Sequence, residues 1–149
     1  MQNDKDSDVR HLNSFLRGEI SAVETYDQAL AKLAKDPDLA APLRACRTSH
    51  QSRVDLLRTE IKRLGGTPSD GSGVWGGFAK LVEGGAKVFG KGPAIAALEE
   101  GEDHGRDDYG REIDELTPAT RTFVQTKLLP EQQRTHDALA TLKGSADER

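Results

Sequence analysis

The chain of 149 residues has one cysteine, one tryptophan and one methionine, and aromatic side chains make up only 5% of it. A single thiol, Cys46, excludes an intramolecular disulfide and any cysteine-based zinc cage, and it fits a reducing, cytoplasmic setting. No apolar run approaches the roughly 20 residues that span a bilayer, and the opening MQNDKDSD has no apolar signal segment. Positive charge is not in excess either, with 21 Lys and Arg against 25 Asp and Glu and a formal net charge of −4. A nucleic-acid partner would want a basic face, so none is expected, and neither is a membrane partner. The alternation of apolar and polar residues that marks strands is missing as well. What remains is one all-α domain, long enough to bury a core of its own.

Helical spacing is strong. Leu12, Leu16, Val23, Tyr26, Leu30 and Leu33 form one stripe, with Asp6 or Ser7 as the expected N-cap. Asp36-Pro37 ends it. Leu43, Cys46, Val54, Leu57, Ile61 and Leu64 form a second, with Pro42 disturbing its first turn and Gly65-Gly66 closing it. A third runs from Pro93 through Ile95, Leu98, Tyr109 and Ile113 to Leu116. The fourth opens at Thr117-Pro118 and continues to about Leu142, with a kink expected at Pro130. Residues 1–7 and 144–149 are expected to fray.

Residues 65–92 hold ten of the fifteen glycines. Neighbouring antiparallel helices need a connection of only ~2–8 residues, whereas a stretch this long suits a chain that travels back along a bundle. The expected fold is therefore an antiparallel four-helix bundle, two helical hairpins joined by a Gly-rich crossover with a short helix near Phe78–Phe89. Gly71 to Gly76 (GSGVWG) matches G-x-G-x-x-G but lacks the preceding strand, so nucleotide binding is not expected. The apolar residues of segment 74–89, among them Trp75, Phe78, Leu81 and Phe89, read as a cover for the bundle or as a homodimer contact. A membrane-surface helix using Lys80, Lys87 and Lys91 is the less favoured reading.

The chain also repeats itself. A shift of 83 residues carries Leu12, Glu19, Tyr26 and Leu33 onto Ile95, Glu102, Tyr109 and Leu116, and His50 and Arg53 onto Gln133 and His136. Glu19 and Glu102 sit within apolar stripes, and His50 shares a column with Leu43, Leu57 and Leu64. An unpaired carboxylate in a core costs several kcal/mol, so these groups must be paired, protonated or bound to a cation. The nine acids between Glu99 and Glu115, by contrast, read mostly as a solvated face. His11 and His104 read as superficial, and no serine or cysteine has the partners of a nucleophile.

The residues Glu19-x6-Tyr26, His50-x-x-Arg53, Leu64 to Pro68 (LGGTP), the Gly/Ser-rich crossover, Glu99-Glu100-Gly101-Glu102-Asp103 with Tyr109, and His136-Asp137 resemble the ferritin-like superfamily. Within it, the chain is similar to a bacterial family of four-helix-bundle proteins of unassigned function. The resemblance implies ferritin-like topology and a degenerate di-iron site. Glu19 and Glu102 match the carboxylates of helices one and three. His50 stands where the bridging Glu of helix two belongs, and Arg53 where its His belongs. On helix four Gln133 replaces Glu, as it does in animal-type ferritins, and His136 matches. A guanidinium has no lone pair to give, so the first iron position is expected to be lost, with Arg53 neutralising Glu19. Glu102, His136 and His50, with Gln133 behind them, then form the set expected to bind at most one divalent ion such as Fe, Mn or Zn. Tyr26 and Tyr109 would orient the carboxylates. The rival expectation is a metal-free structural or interaction module with a buried Glu/Arg/His/Tyr network. On neither reading is oxidation at a bridged metal pair expected.

Overall fold

The computed structural model describes residues 2–71 and 91–148, and among them every regular element is helical. The order is α1 (Gln2–Leu33), α2 (Pro37–Arg63), α3 (Lys91–Glu112), a 3₁₀ turn (Ile113–Glu115), α4 (Pro118–Phe123), a π turn (Val124–Leu128) and α5 (Leu129–Glu148). The expected crossover helix, the G-x-G-x-x-G stretch beyond Gly71 and the apolar segment 74–89 lie outside the described residues. No helix among those described is long and apolar enough to cross a membrane.

The helix boundaries follow from local chemistry. α1 starts at Gln2, ahead of the expected cap at Asp6 or Ser7. Its first turn carries Asp4 against the positive end of the helix dipole, and Gln2 Nε2 donates to Asp6 Oδ1 at 3.0 Å. α2 opens with Pro37 in the first turn, where Leu39 and Ala40 amides close onto the Asp36 carbonyl at 3.1 and 2.9 Å. It runs through Pro42 without a break. Its exit is a Schellman motif: the Gly66 amide reaches the Ile61 carbonyl at 2.9 Å and the Gly65 amide the Lys62 carbonyl at 3.0 Å. Gly65 takes the left-handed conformation this requires, with φ of 85°. α5 stays helical to Glu148, past the point where fraying was expected.

Side-chain pairs fix how the elements lie. α1 meets α2 and its exit at Asn13 and Thr67, at Glu19 and His50, and at Asp27 and Arg47, so the partner's number falls as α1 proceeds. α1 meets α3 and its following turn at Tyr26 and Glu102, His11 and Glu112, and Asp8 and Thr117, again in falling order. α3 meets α5 at Glu99 and Lys143 and at Asp103 and His136. Beyond α2 the chain turns along α1, where Asn13 both donates to the Thr67 carbonyl and accepts from the Ser69 amide.

The buried positions of the last arm are Thr120, Val124, Leu128, Gln132, Thr135, Leu139 and Leu142. The first three intervals are four residues each. At 3.6 residues per turn, 12 residues drift by roughly 120° over three turns, which would carry Thr120 and Gln132 to different faces. The π turn at Val124–Leu128 absorbs that drift, and the arm presents one continuous face. The π turn lies just ahead of Pro130, where a kink was expected, and α5 continues as a helix through that residue.

Two apolar clusters result. One gathers Tyr26, Leu33, Leu39, Leu43, Ile95, Leu98 and Leu139; the other gathers Leu12, Leu16, Leu57, Ile61, Val124 and Leu128. Between them lies a polar layer.

A buried charge cluster as candidate functional site

The layer is made by one turn from each of four helical segments. α1 supplies Glu19, α2 supplies His50 and Arg53, α3 supplies Glu102, and α5 supplies Gln132 and Thr135. All six are buried, and Arg53 is 0% exposed. Glu19 and Glu102 occupy the heptad columns Leu12-Glu19-Tyr26-Leu33 and Ile95-Glu102-Tyr109-Leu116, whose apolar members hold these helix faces inward.

His50 is the centre of the cluster. Its Nε2 lies 2.6 Å from Glu102 Oε1, and its Nδ1 lies 3.3 Å from Glu19 Oε1. One imidazole thus bridges carboxylates from two helices. The Tyr26 hydroxyl donates to Glu102 Oε1 at 2.9 Å, and the Thr135 hydroxyl donates to Glu102 Oε2 at 2.8 Å. Arg53 Nη2 donates to the Thr135 oxygen at 2.9 Å. Arg53 Nε stands 3.0 Å from Glu19 Oε2, an ion-pair distance, although its N–H is not aimed at that oxygen. Gln132 Nε2 ties α5 to the Glu102 carbonyl at 3.2 Å.

The electrostatics follow the geometry. Burial and the neighbouring Arg53 push the His50 pKa down, but Glu19 and Glu102 together outweigh them and it stands above its ordinary value of 6.5. Burial alone would lift Glu102; the His50 charge and hydrogen bond, with Arg53 and Thr135, hold it below its usual range. Both directions describe an imidazolium between two carboxylates. With His50 protonated, Glu19, Glu102, His50 and Arg53 sum to zero charge in a site shielded from water. Burial, then the charge on Glu102, hold the Tyr26 phenol well above its ordinary pKa. Burial likewise pushes the Cys46 thiol up to about 11, so that residue is packing rather than a nucleophile.

The expected ligands separate into two places. Glu19, His50, Arg53, Glu102 and Tyr26 come together. His136 and Gln133 do not join them. His136 Nε2 lies 2.6 Å from Asp103 Oδ1 in the outer groove between α3 and α5, and Gln133 is exposed, donating to Asp137. The reason is a one-residue difference between the two halves. Glu19 and His50 are 31 residues apart, whereas Glu102 and Gln132 are 30 apart. A single shift of 83 therefore overruns helix four by one residue, or about 100° of rotation. The inward residues are Gln132 and Thr135, which the repeat did not single out. Their signal was local: Leu128, Gln132, Thr135, Leu139 and Leu142 step by four and three, while the register through His136 would bury Lys143 in place of Leu142. Tyr109 also departs from expectation. Its ring stacks on Phe15 at 4.4 Å, and its hydroxyl has no partner among the described residues.

A metal pair does not fit this chemistry. Arg53 donates only, both His50 nitrogens face carboxylates on opposite sides, and Glu102 accepts from three groups. The three-ligand set of Glu102, His136 and His50 is not assembled, and among the described residues no group of three or more His, Cys, Asp or Glu is arranged to hold an ion.

Residues 7–115, most of the chain, match the model of a family described as a domain of unknown function (DUF2383). No curated protein and no solved structure matches it.

Proposed function

Since the chain belongs to the DUF2383 family, we propose that it is a ferritin-like antiparallel bundle of two hairpins whose core carboxylates are neutralised by Arg53 and His50 instead of by metal ions. Its role is that of a structural or interaction module in the cytoplasm, not of an oxidase. The observation that carries this reading is the His50 imidazole between Glu19 and Glu102, with Arg53 fully buried beside Glu19. The falling pair order between α1 and α2, between α1 and α3 and between α3 and α5 supports the antiparallel arrangement, and α2 and α3 then run the same way, as a long crossover requires.

Such a cluster has a mechanical use. Four helical segments contribute to one connected set of hydrogen bonds and ion pairs, which fixes their register where apolar contacts alone would tolerate sliding. Elemental analysis of protein purified without chelator or metal-affinity steps tests the reading. We expect well under one transition-metal ion per chain, unchanged when Fe, Mn or Zn is supplied during growth. Close to one ion per chain, abolished by His50→Ala, would overturn it.

A further inference from the structure

Between α1 and α3, beside the charge cluster, lies a cavity of about 40 Å³ lined by Glu19, His50, Arg53, Tyr109 and Gln132, with Ser14, Gly105 and Asp108 among its other lining residues. Two of its wall groups are buried polar side chains with unmet hydrogen bonds. Arg53 Nη1 and Nε and the Tyr109 hydroxyl have no acceptor or donor among the described residues, while Arg53 is 0% and Tyr109 2% exposed. Buried groups of this kind are rare in folded proteins unless water serves them. Glu19 supplies the opposite need, a carboxylate with acceptor capacity beyond its contacts to His50 and Arg53.

A ligand for this wall must accept from Arg53 and Tyr109, donate to Glu19, carry no net charge into a neutral cluster and be very small. Water meets all four conditions. A buried water takes roughly 10–15 Å³ of such space and makes about three hydrogen bonds, so the cavity of about 40 Å³ has room for roughly three or four. We propose that these waters complete Arg53 and Tyr109 and carry protons between solvent, at the rim near Asp108, and the buried Glu19–His50–Glu102 chain.

The passage balances. His50 Nδ1–H gives its proton to the Glu19 oxygen at 3.3 Å, Glu19 passes it to the adjoining water, and the water chain releases one proton at the rim. The net change is one proton out and one neutral imidazole left behind; the reverse passage restores it. The titratable and charged groups around the path are Glu19, Tyr26 and Asp108 at its flanks, with Arg53, Cys46, Glu102 and Tyr109; from α5 the Arg134 charge reaches Cys46, and Thr135 and Gln132 add neutral groups. This gives the buried layer a defined route for its protonation to follow the medium, apart from a second cavity of about 30 Å³ that reaches His50 and Glu102 beside Tyr26.

The proposal rests on the metal-free reading above, and one set of samples separates the two. The solvent-exchange rate of the His50 imidazole N–H is read by ¹H–¹⁵N NMR in the unaltered protein and in Gly105→Leu. Gly105 lines the cavity and a Cβ there meets nothing within 4 Å, which makes it the position chosen for the plug. Plugging it is expected to slow exchange by roughly tenfold or more, because the water file that serves Glu19 and His50 Nδ1 is then interrupted and exchange is left to local opening. A crystal structure of the unaltered protein is expected to show ordered water bonded to Arg53 Nη1 and Tyr109 Oη. Metal-free protein whose exchange is the same in Gly105→Leu, or density with no water at those two atoms, overturns the water path alone. Metal found on His50 in the same sample overturns the metal-free reading and the path with it. Should Gly105→Leu not fold, the density decides.

Discussion

Replacing Arg53 by methionine keeps most of the side chain's length and apolar volume and removes only its charge and donors. The three ionised groups that remain sum to −1 instead of the former zero, with Glu19 left in a layer where every member is buried. Breaking a buried pair in this way costs about 3–5 kcal/mol. With a urea slope near 2 kcal/mol/M, the unfolding midpoint should fall by roughly 2 M. Replacing both partners, Glu19→Leu with Arg53→Met, should recover most of the stability, since a buried ion pair exchanged for apolar groups is often neutral or better. Equilibrium unfolding of the four species by circular dichroism gives the coupling directly. The reasoning fails if the single variant loses less than about 1 kcal/mol, or if the double variant is no more stable than the single.

Three further outcomes follow from the same geometry. The His50–Glu102 pair should give a stability optimum between the ordinary values of 4.5 for Glu102 and 6.5 for His50. Glu102, with a depressed folded pKa, loses its contribution as pH falls through that value. His50, with a raised one, loses its contribution as pH rises through that value. Urea midpoints across pH should show this bell, and His50→Gln should flatten its alkaline side; an unchanged alkaline limb in that variant would sink the assignment. Gly66→Ala should lower stability by about 1–3 kcal/mol, because its Cβ would lie 2.6 and 2.9 Å from the two Val9 methyl carbons; a neutral result in thermal denaturation would mean α1 can shift away. His136→Ala should cost less than about 1 kcal/mol, as expected of a partly exposed pair with Asp103, and a loss as large as that of Arg53→Met would place His136 in the core after all.

Much of this was legible in the sequence, and the residues show why. Heptad spacing of Leu12, Tyr26, Leu33, Ile95 and Leu116 marks helix faces, and a carboxylate inside each stripe marks the site. Arg53 could be read as the counter-charge of Glu19 because a guanidinium cannot be a ligand. Helix four was misread where a tertiary offset was preferred to local periodicity. Hairpin turns change length freely, so a repeat spacing measured on the first helix of each hairpin carries no authority over the second. The π turn was foreshadowed only as a kink at Pro130, since its cause is the four-residue step of Thr120, Val124, Leu128 and Gln132. Nor did any pattern announce Tyr109 as a lone hydroxyl; that depends on which neighbours reach it.

The two halves of the repeat are not electrically equivalent. The first half of the chain brings Glu19, His50 and Arg53, a sum of +1 with the imidazole protonated, while the second brings only Glu102. Unlike halves cancel; like halves would place two surplus charges of one sign in a dry interior. Swapping a hairpin between copies of the chain is therefore tolerated only when a first half meets a second half, and an assembly of two identical halves is disfavoured by repulsion alone.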